Sequence, residues 1–168
     1  MEYWELYDKE YKPLGKVVPR GSELQKGEYF RISGVICINE KGEILTTKRS
    51  PQKDSHPNHW EFTCGTLEVG EDLMDGAIRE LEEETGIVAT KDELTFLGSY
   101  REEDKFSFVY LLHFHGREED LRLQEEEVSD FAFLNRSEFL QKCQEGYFAP
   151  PMQKRLAYFY EQYEGYLK

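Results

Sequence analysis

The stretch of sequence that decides the fold is Gly65–Ile87, which reads GTLEVGEDLMDGAIRELEEETGI. Its apolar residues recur at i, i+3, i+4 and i+7, which is the spacing of the buried stripe of a helix. These residues are Met74, Ala77, Ile78 and Leu81. Glycine at position 86 is typical of the residue that ends a helix. The pattern therefore predicts an amphipathic helix over about Leu73–Thr85 whose apolar side packs on a core.

The other side of the predicted helix carries three carboxylates, from Glu80, Glu83 and Glu84. Residues three and four positions apart are neighbours on a helix surface, so these side chains are expected to crowd together. Two such charges about 5 Å apart repel by roughly 3 kcal/mol at an effective dielectric constant near 20. They also lie near the C-terminal end of the helix, where the helix dipole disfavours negative charge. The simplest compensation is a bound divalent cation, so the crowding predicts a metal site.

The order and spacing of the fixed residues in Gly65–Ile87 resemble the Nudix box at every position. These residues are Gly65, Glu71, Arg79, Glu80, Leu81, Glu83, Glu84, Gly86 and Ile87. The chain is therefore identified as a member of the Nudix hydrolase superfamily, and it resembles the isopentenyl-diphosphate-isomerase-like branch of that superfamily. The resemblance implies a pyrophosphohydrolase, dependent on a divalent metal, that cleaves a diphosphate linkage in a nucleoside diphosphate linked to another moiety.

The resemblance assigns the metal ligands residue by residue. Glu80, Glu83 and Glu84 would bind Mg²⁺ or Mn²⁺ and so take part in catalysis. The backbone carbonyl of Cys64, just before the box, would also contact the metal. Both cations prefer hard oxygen ligands and keep several water molecules, so a few carboxylates and the substrate phosphates complete their coordination.

The resemblance also assigns positioning roles around the predicted helix. Glu71 would pair with Arg79, a further member of the catalytic set, and so hold the loop that precedes the helix. That loop is bracketed by Gly65 and Gly70, and glycine lets the backbone come close to phosphate and metal. Gly65 is therefore expected to contact substrate, while Gly70 and Gly86 are expected to shape the site.

Further site residues are expected outside the box. Several family members take another carboxylate from a later loop, as a general base or an extra ligand. Glu125, Glu126 and Glu127 are the candidates, and Glu127 is preferred because it lies nearest the next predicted strand. Lys48 and Arg49 end a predicted strand at the edge where Nudix folds often contact phosphate, so they are expected to bind substrate.

Two other functions stay open at this point. The segment Trp60–Gly65 resembles the region of isopentenyl diphosphate isomerases in which a cysteine, here Cys64, is catalytic. Those isomerases begin their first hairpin strand with a metal-binding histidine, where this chain has Tyr29–Arg31, and they usually degrade the box, which is intact here. The other function is a non-catalytic diphosphate-binding or regulatory module, and the complete glutamate set argues against it.

The composition limits the classes of partner that are expected for this protein. A net charge of −13 over 168 residues argues against duplex nucleic acid, whose phosphates require a basic surface. Apolar runs stay short of the 18 or so residues of a membrane helix, and the N-terminus is too polar for a signal peptide. The three cysteines form no CxxC pattern. A cytoplasmic protein without a membrane partner is expected, with a small-molecule diphosphate substrate and, through its aromatic C-terminus, a homodimer.

The patterns along the chain predict an α+β fold, an α/β/α sandwich with a mixed β-sheet between helices. Strands are predicted at 3–7, 29–39, 44–48, 60–63, 95–101, 106–115 and 130–134, and helices at 73–85, 135–144 and from Pro150 onward. One domain is expected over 1–168, with an N-terminal extension at 1–26, the box loop–helix–loop at 65–87 and a C-terminal helix at 150–168.

Overall fold

The structure is a computed structural model and describes residues 2–168. Nine strands and three α-helices form within these residues. The strands are β1 Tyr3–Tyr7, β2 Pro13–Pro19, β3 Phe30–Asn39, β4 Ile44–Arg49, β5 Trp60–Glu61, β6 Thr63–Thr66, β7 Leu94–Arg101, β8 Lys105–Phe114 and β9 Val128–Leu134. The helices are α1 Leu73–Thr85, α2 Arg136–Gln144 and α3 Pro150–Tyr163.

Seven strands form one mixed sheet around β3. Strand β3 pairs in parallel with β8 along its whole length, and β7 pairs antiparallel with β8. On its other edge β3 pairs antiparallel with β6 and with β4, and β4 continues to β5 and β9. The mixed sheet predicted from the sequence is confirmed.

The two faces of β3 supply the two cores of the molecule. Ile36 and Ile38 lie in a cluster with residues of α2 and α3, while Val35 and Cys37 lie in a cluster with residues of α1. Successive side chains of a strand point to opposite faces, so one nearly continuous apolar run serves both layers. The sheet therefore lies between α1 on one face and α2 with α3 on the other.

Helix α1 begins and ends at the predicted residues. The Asp72 side chain accepts hydrogen bonds from the backbone N–H groups of Met74 and Asp75, which caps the first turn. At the other end Gly86 adopts φ 77°, and its N–H donates to the carbonyl of Glu82. A left-handed residue of this kind stops the helix with little steric cost only when it is glycine.

The N-terminal segment differs from the prediction. No strand is predicted between Tyr7 and Tyr29, but Pro13–Pro19 forms β2 and pairs antiparallel with β1. Two prolines and a glycine are unfavourable in a strand, and the residues of this segment are mostly exposed, so no apolar alternation indicates a strand here. Strand β1 is in turn joined to the start of β3 by hydrogen bonds in both directions between the backbones of Tyr7 and Tyr29.

The strand predicted at 60–63 also differs. It divides at Phe62 into β5, which pairs with β4, and β6, which extends to Thr66 and pairs with β3. The partner strands decide this division, because each short piece follows a different neighbour. No helix of residues 2–168 is long and apolar enough to span a membrane.

Candidate active site

The three carboxylates of α1 differ in their surroundings. Ala77 and Leu81 are fully buried on the core side of the helix. Glu83 is exposed, Glu80 is half-buried, and Glu84 is buried with 7% of its surface accessible. The acidic side of the helix therefore extends from the solvent at Glu83 to the protein interior at Glu84. We call Glu80, Glu83 and Glu84 the carboxylate ridge.

Glu84 lacks a hydrogen-bond partner at one carboxylate oxygen. Its Oε2 atom is buried and accepts no hydrogen bond from any described residue. Burial, together with the neighbouring carboxylates of Glu61 and Glu80, raises the pKa of Glu84 well above its usual range. An unsatisfied buried carboxylate oxygen costs free energy unless a cation or a donor contacts it.

Arg79 binds the other carboxylates around the ridge. Its Nε and Nη2 atoms donate to the two oxygens of Glu71 at 2.8 and 3.0 Å, so the expected contact between Glu71 and Arg79 is present. Its Nη1 atom donates to Glu80 at 2.9 Å and to Glu83 at 3.3 Å. Nη2 also donates to the carbonyl of Thr66 at 3.1 Å. One guanidinium thus joins the loop before α1 to two members of the carboxylate ridge.

Gly65 lies directly against the carboxylate ridge. A Cβ atom added at Gly65 would clash with the end of the Glu80 side chain, so any other residue there would displace the Glu80 carboxylate. Gly70, at the other end of the loop, adopts φ 74° and would strain any other residue.

Substituting Gly65→Ala is expected to displace the Glu80 carboxylate. We expect about tenfold weaker Mg²⁺ binding by calorimetry and a loss of stability of roughly 1–3 kcal/mol from overpacking. Gly165→Ala is the matched control, because nothing lies within 4 Å of a Cβ at that position. Unchanged Mg²⁺ affinity in the Gly65 variant would contradict a role for this close approach.

The ridge forms one wall of a cavity of about 420 Å³. Its acidic lining residues are Glu2, Glu61, Glu68, Glu80, Glu83, Glu84 and Glu127, and its basic lining residues are Arg20, Arg49, Lys53, Arg79 and Lys105. Cys64 and Gly65 complete the floor beside the ridge. A pocket with both signs of charge suits an anionic ligand that arrives with a divalent cation.

Of the three candidate carboxylates after the box, only Glu127 lines this cavity. It forms an ion pair with Lys53, a residue that the sequence analysis did not single out. The two residues are 74 positions apart, so no local pattern announces the pair. The loop after β4 therefore contributes a cation to the site.

The two basic residues at the end of β4 are separated by the strand geometry. Arg49 lines the cavity, where it donates to Glu61 at 3.1 Å and to the carbonyl of Ser55 at 2.9 Å. Lys48 does not line it, which departs from the expectation that both residues contact substrate. Adjacent side chains of a strand point to opposite faces, so only one of the two can face the cavity.

Glu61 and Cys64 lie beside the ridge on β5 and β6. Glu61, which the sequence analysis also missed, is buried with 7% of its surface accessible, and burial raises the pKa of its carboxyl. Burial also raises the pKa of the Cys64 thiol to about 12. The Cys64 side chain packs where a Cβ of Gly34 would otherwise lie, so it fills the gap between β6 and β3.

The donors of the ridge fit a hard divalent cation in chemistry. Within residues 2–168 no three His, Cys, Asp or Glu side chains converge closely enough to coordinate an ion in the arrangement described. Arg79 donates hydrogen bonds to Glu80 and Glu83, and Glu84 is the member of the carboxylate ridge with an unpartnered buried oxygen. Carboxylate oxygens are the hard donors that Mg²⁺ or Mn²⁺ prefers, so the residues present fit such an ion.

A mixed sheet between helices, with a glycine-bracketed loop and an acidic helix at its edge, is the arrangement of the Nudix fold. The family model described as NUDIX domain matches residues 28–160, and the chain belongs to this family. A relative from Listeria monocytogenes, the uncharacterised Nudix hydrolase lmo0368, is 33% identical over 151 residues, which are 89% of each chain.

Solved structures show the same fold. The chain is similar to DR0079 from Deinococcus radiodurans with a TM-score of 0.73 and 20% identity, over 88% of this chain and 92% of that one. It is also similar to a bifunctional NMN adenylyltransferase/ADP ribose pyrophosphatase from Francisella tularensis, solved with AMP and a Mn ion. That match has a TM-score of 0.63 and 19% identity, over 84% of this chain and 43% of that one. The predicted Nudix fold and hydrolase class are confirmed.

Proposed function

We propose that this Nudix hydrolase cleaves the diphosphate linkage of a nucleoside diphosphate derivative with the help of Mg²⁺ or Mn²⁺ bound at the carboxylate ridge. The observation that carries the proposal is the buried Glu84 oxygen without a partner, beside Glu80 and in a cavity lined by charges of both signs. The Francisella neighbour, an ADP ribose pyrophosphatase solved with a Mn ion, supports the metal and the substrate class.

In this proposal each charged residue has a distinct part. When bound, Mg²⁺ or Mn²⁺ would neutralise the diphosphate and make a water molecule a better nucleophile. Glu80, Glu83 and Glu84 would hold the cation, with the Cys64 carbonyl as an additional ligand. Arg79 fixes the position of the Glu71 loop relative to the carboxylate ridge. Glu80 and Glu83, which accept hydrogen bonds from Arg79, would turn part of their oxygen donors to the cation.

Glu127 and its partners complete the site. Glu127 would accept a proton from the attacking water or help to hold the cation, and either role would release Lys53 for the substrate. Arg49 and Lys53 bind phosphate oxygens together with the backbone at Gly65. These assignments rest on the shared cavity and on the ion pairs of Arg49 with Glu61 and Lys53 with Glu127.

The isomerase alternative receives less support. Its catalytic group would be Cys64, whose thiol is packed between strands with a raised pKa and is therefore a poor acid, base or nucleophile near neutral pH. At the start of β3, where those isomerases carry a metal-binding histidine, this chain has Tyr29–Arg31 and no histidine.

The single-domain organisation, a homodimer and a cytoplasmic location stay predictions.

A panel of nucleoside diphosphate derivatives with Mg²⁺ or Mn²⁺, measured by chromatography of the two products of diphosphate cleavage, tests the proposal. We expect hydrolysis that stops in excess EDTA and returns when Mg²⁺ is restored. Cation at 100 times its Kd should also stabilise the protein by about 2.7 kcal/mol, visible as a higher Tm. Stabilisation without hydrolysis on the whole panel would favour the non-catalytic module. The absence of both hydrolysis and cation-dependent stabilisation would refute a metal-dependent site.

A further inference from the structure

The N-terminal hairpin forms a wall of the same cavity. The family match begins at residue 28, yet Glu2, Trp4 and Arg20 line the cavity together with Glu80. Glu2 also lines a smaller neighbouring cavity beside Arg79 and Glu80, so this end of the hairpin lies next to the carboxylate ridge. A wall built outside the matched domain is a natural place for substrate selectivity.

The hairpin is fixed to the sheet rather than loosely attached. The Trp4 ring stacks on Phe30 with centroids 3.9 Å apart and the planes 2° from parallel. Leu6 is fully buried, and the backbones of Tyr7 and Tyr29 exchange two hydrogen bonds of 2.8 and 2.9 Å. Stacking and burial on this scale hold the hairpin in one position, so its side chains meet the ligand preorganised.

Arg20 is the most accessible cation of the cavity. Its side chain is 49% exposed and its partner Glu2 is 63% exposed. The other basic residues that line the cavity are each held by a carboxylate, and their side chains are 17–26% exposed. These are Arg49, Lys53, Arg79 and Lys105. An ion pair between two exposed residues contributes only about 0–1 kcal/mol, so a ligand anion readily replaces Glu2 on Arg20.

We propose that Arg20 binds a phosphate of the substrate that lies beyond the scissile diphosphate, so that substrates with at least three phosphates are preferred. This inference rests on the proposed function, which places the scissile diphosphate at the carboxylate ridge. A guanidinium matches the oxygens of phosphate in a two-point contact, which a lysine at the same position would not reproduce fully. Trp4 already uses one ring face on Phe30, so a phosphate suits this wall better than a base inserted between the two rings.

Calorimetry on the full chain with Mg²⁺ tests this inference. The probes are imidodiphosphate and its linear triphosphate homologue, whose bridging nitrogens resist hydrolysis. We expect the wild-type protein to bind the triphosphate analogue at least tenfold more tightly. Arg20→Met should abolish this difference and leave the Kd of the diphosphate analogue unchanged, and Arg20→Lys should restore part of it. Lys16→Met is the matched control, because Lys16 lies on β2, the strand that Arg20 directly follows, and pairs with Glu28 outside the cavity.

The possible outcomes separate the two proposals. Mg²⁺-dependent binding of the diphosphate analogue, with no added affinity for the triphosphate analogue, would overturn the role of Arg20 and leave the proposed function standing. That role is also overturned if Arg20→Met weakens both probes equally, since this result indicates a general effect on the hairpin. No Mg²⁺-dependent binding of either probe would overturn the diphosphate site itself, and the inference with it.

Discussion

Glu84→Gln is expected to lower kcat by about 10³-fold or more while the protein stays folded. The substitution keeps the shape of the side chain but removes the charge of the most buried carboxylate of the ridge. Metal-assisted hydrolysis depends on that charge to hold the cation against the diphosphate. The steady-state rate of product formation on the best substrate of the panel, followed by chromatography, measures the effect. Glu82→Gln is the matched control, because Glu82 is exposed on the same helix and does not line the cavity.

The same variant should gain stability in EDTA. Glutamine removes a buried negative charge that has no partner at Oε2. This removal is expected to raise the free energy of unfolding by about 1–3 kcal/mol. The folded-state pKa of Glu84 is raised, so the folded protein binds more protons and wild-type stability falls as pH rises above the ordinary glutamate range. The gain should therefore be larger at pH 8 than at pH 5 in urea unfolding. A variant that keeps activity within tenfold, or that is less stable than wild type in EDTA, would contradict this explanation.

Arg155→Met is expected to destabilise the fold by about 3–5 kcal/mol, a fall in Tm of roughly 10 °C. Arg155 on α3 donates to both oxygens of Glu102 at 2.7 and 2.8 Å, and its side chain is 8% exposed. Glu102 follows β7 and also accepts a hydrogen bond from Ser107 on β8, so the pair ties the C-terminal helix to the sheet. Removing the cation leaves a carboxylate in a nearly dry site.

A second substitution separates the charge effect from the loss of packing. In the double variant Arg155→Met with Glu102→Gln, the stranded charge is gone and the amide oxygen still accepts from Ser107. We expect the double variant to regain at least half of the lost stability, because replacing a buried ion pair costs much less than breaking it. Urea unfolding of the wild type, the single variants Arg155→Met and Glu102→Gln, and the double variant gives the coupling energy between the two residues. Two additive losses would show that the pair is not coupled.

The box helix could be predicted almost completely from the sequence. Its periodicity and the stop at Gly86 are local signals, and the helix bounds agree with them. The mixed sheet was also predictable, because apolar runs such as β3 are strongly patterned. Strand β2 could not be predicted, since its exposed residues and prolines carry no alternation and only pairing with β1 makes it a strand.

The carboxylates of the candidate site could be predicted from the sequence, and its basic residues only in part. Glu80, Glu83, Glu84 and Glu127 line the cavity as expected, although their roles stay proposals. Lys48 is predicted to contact substrate but does not line the cavity. Lys53 could not be predicted, because its contact with Glu127 joins loops 74 positions apart.

The sequence by itself determined the family, the helix that carries the ridge and the acidic character of the site. These properties depend on spacing within some two dozen residues, where hydrogen bonds and side-chain neighbours are local. Only the tertiary structure decided that Glu84 is the buried member of the ridge, that Arg49 faces the cavity without Lys48, and that the N-terminal hairpin closes a wall. Burial and ion pairing depend on which distant strands meet, because desolvation acts on a side chain through everything packed around it.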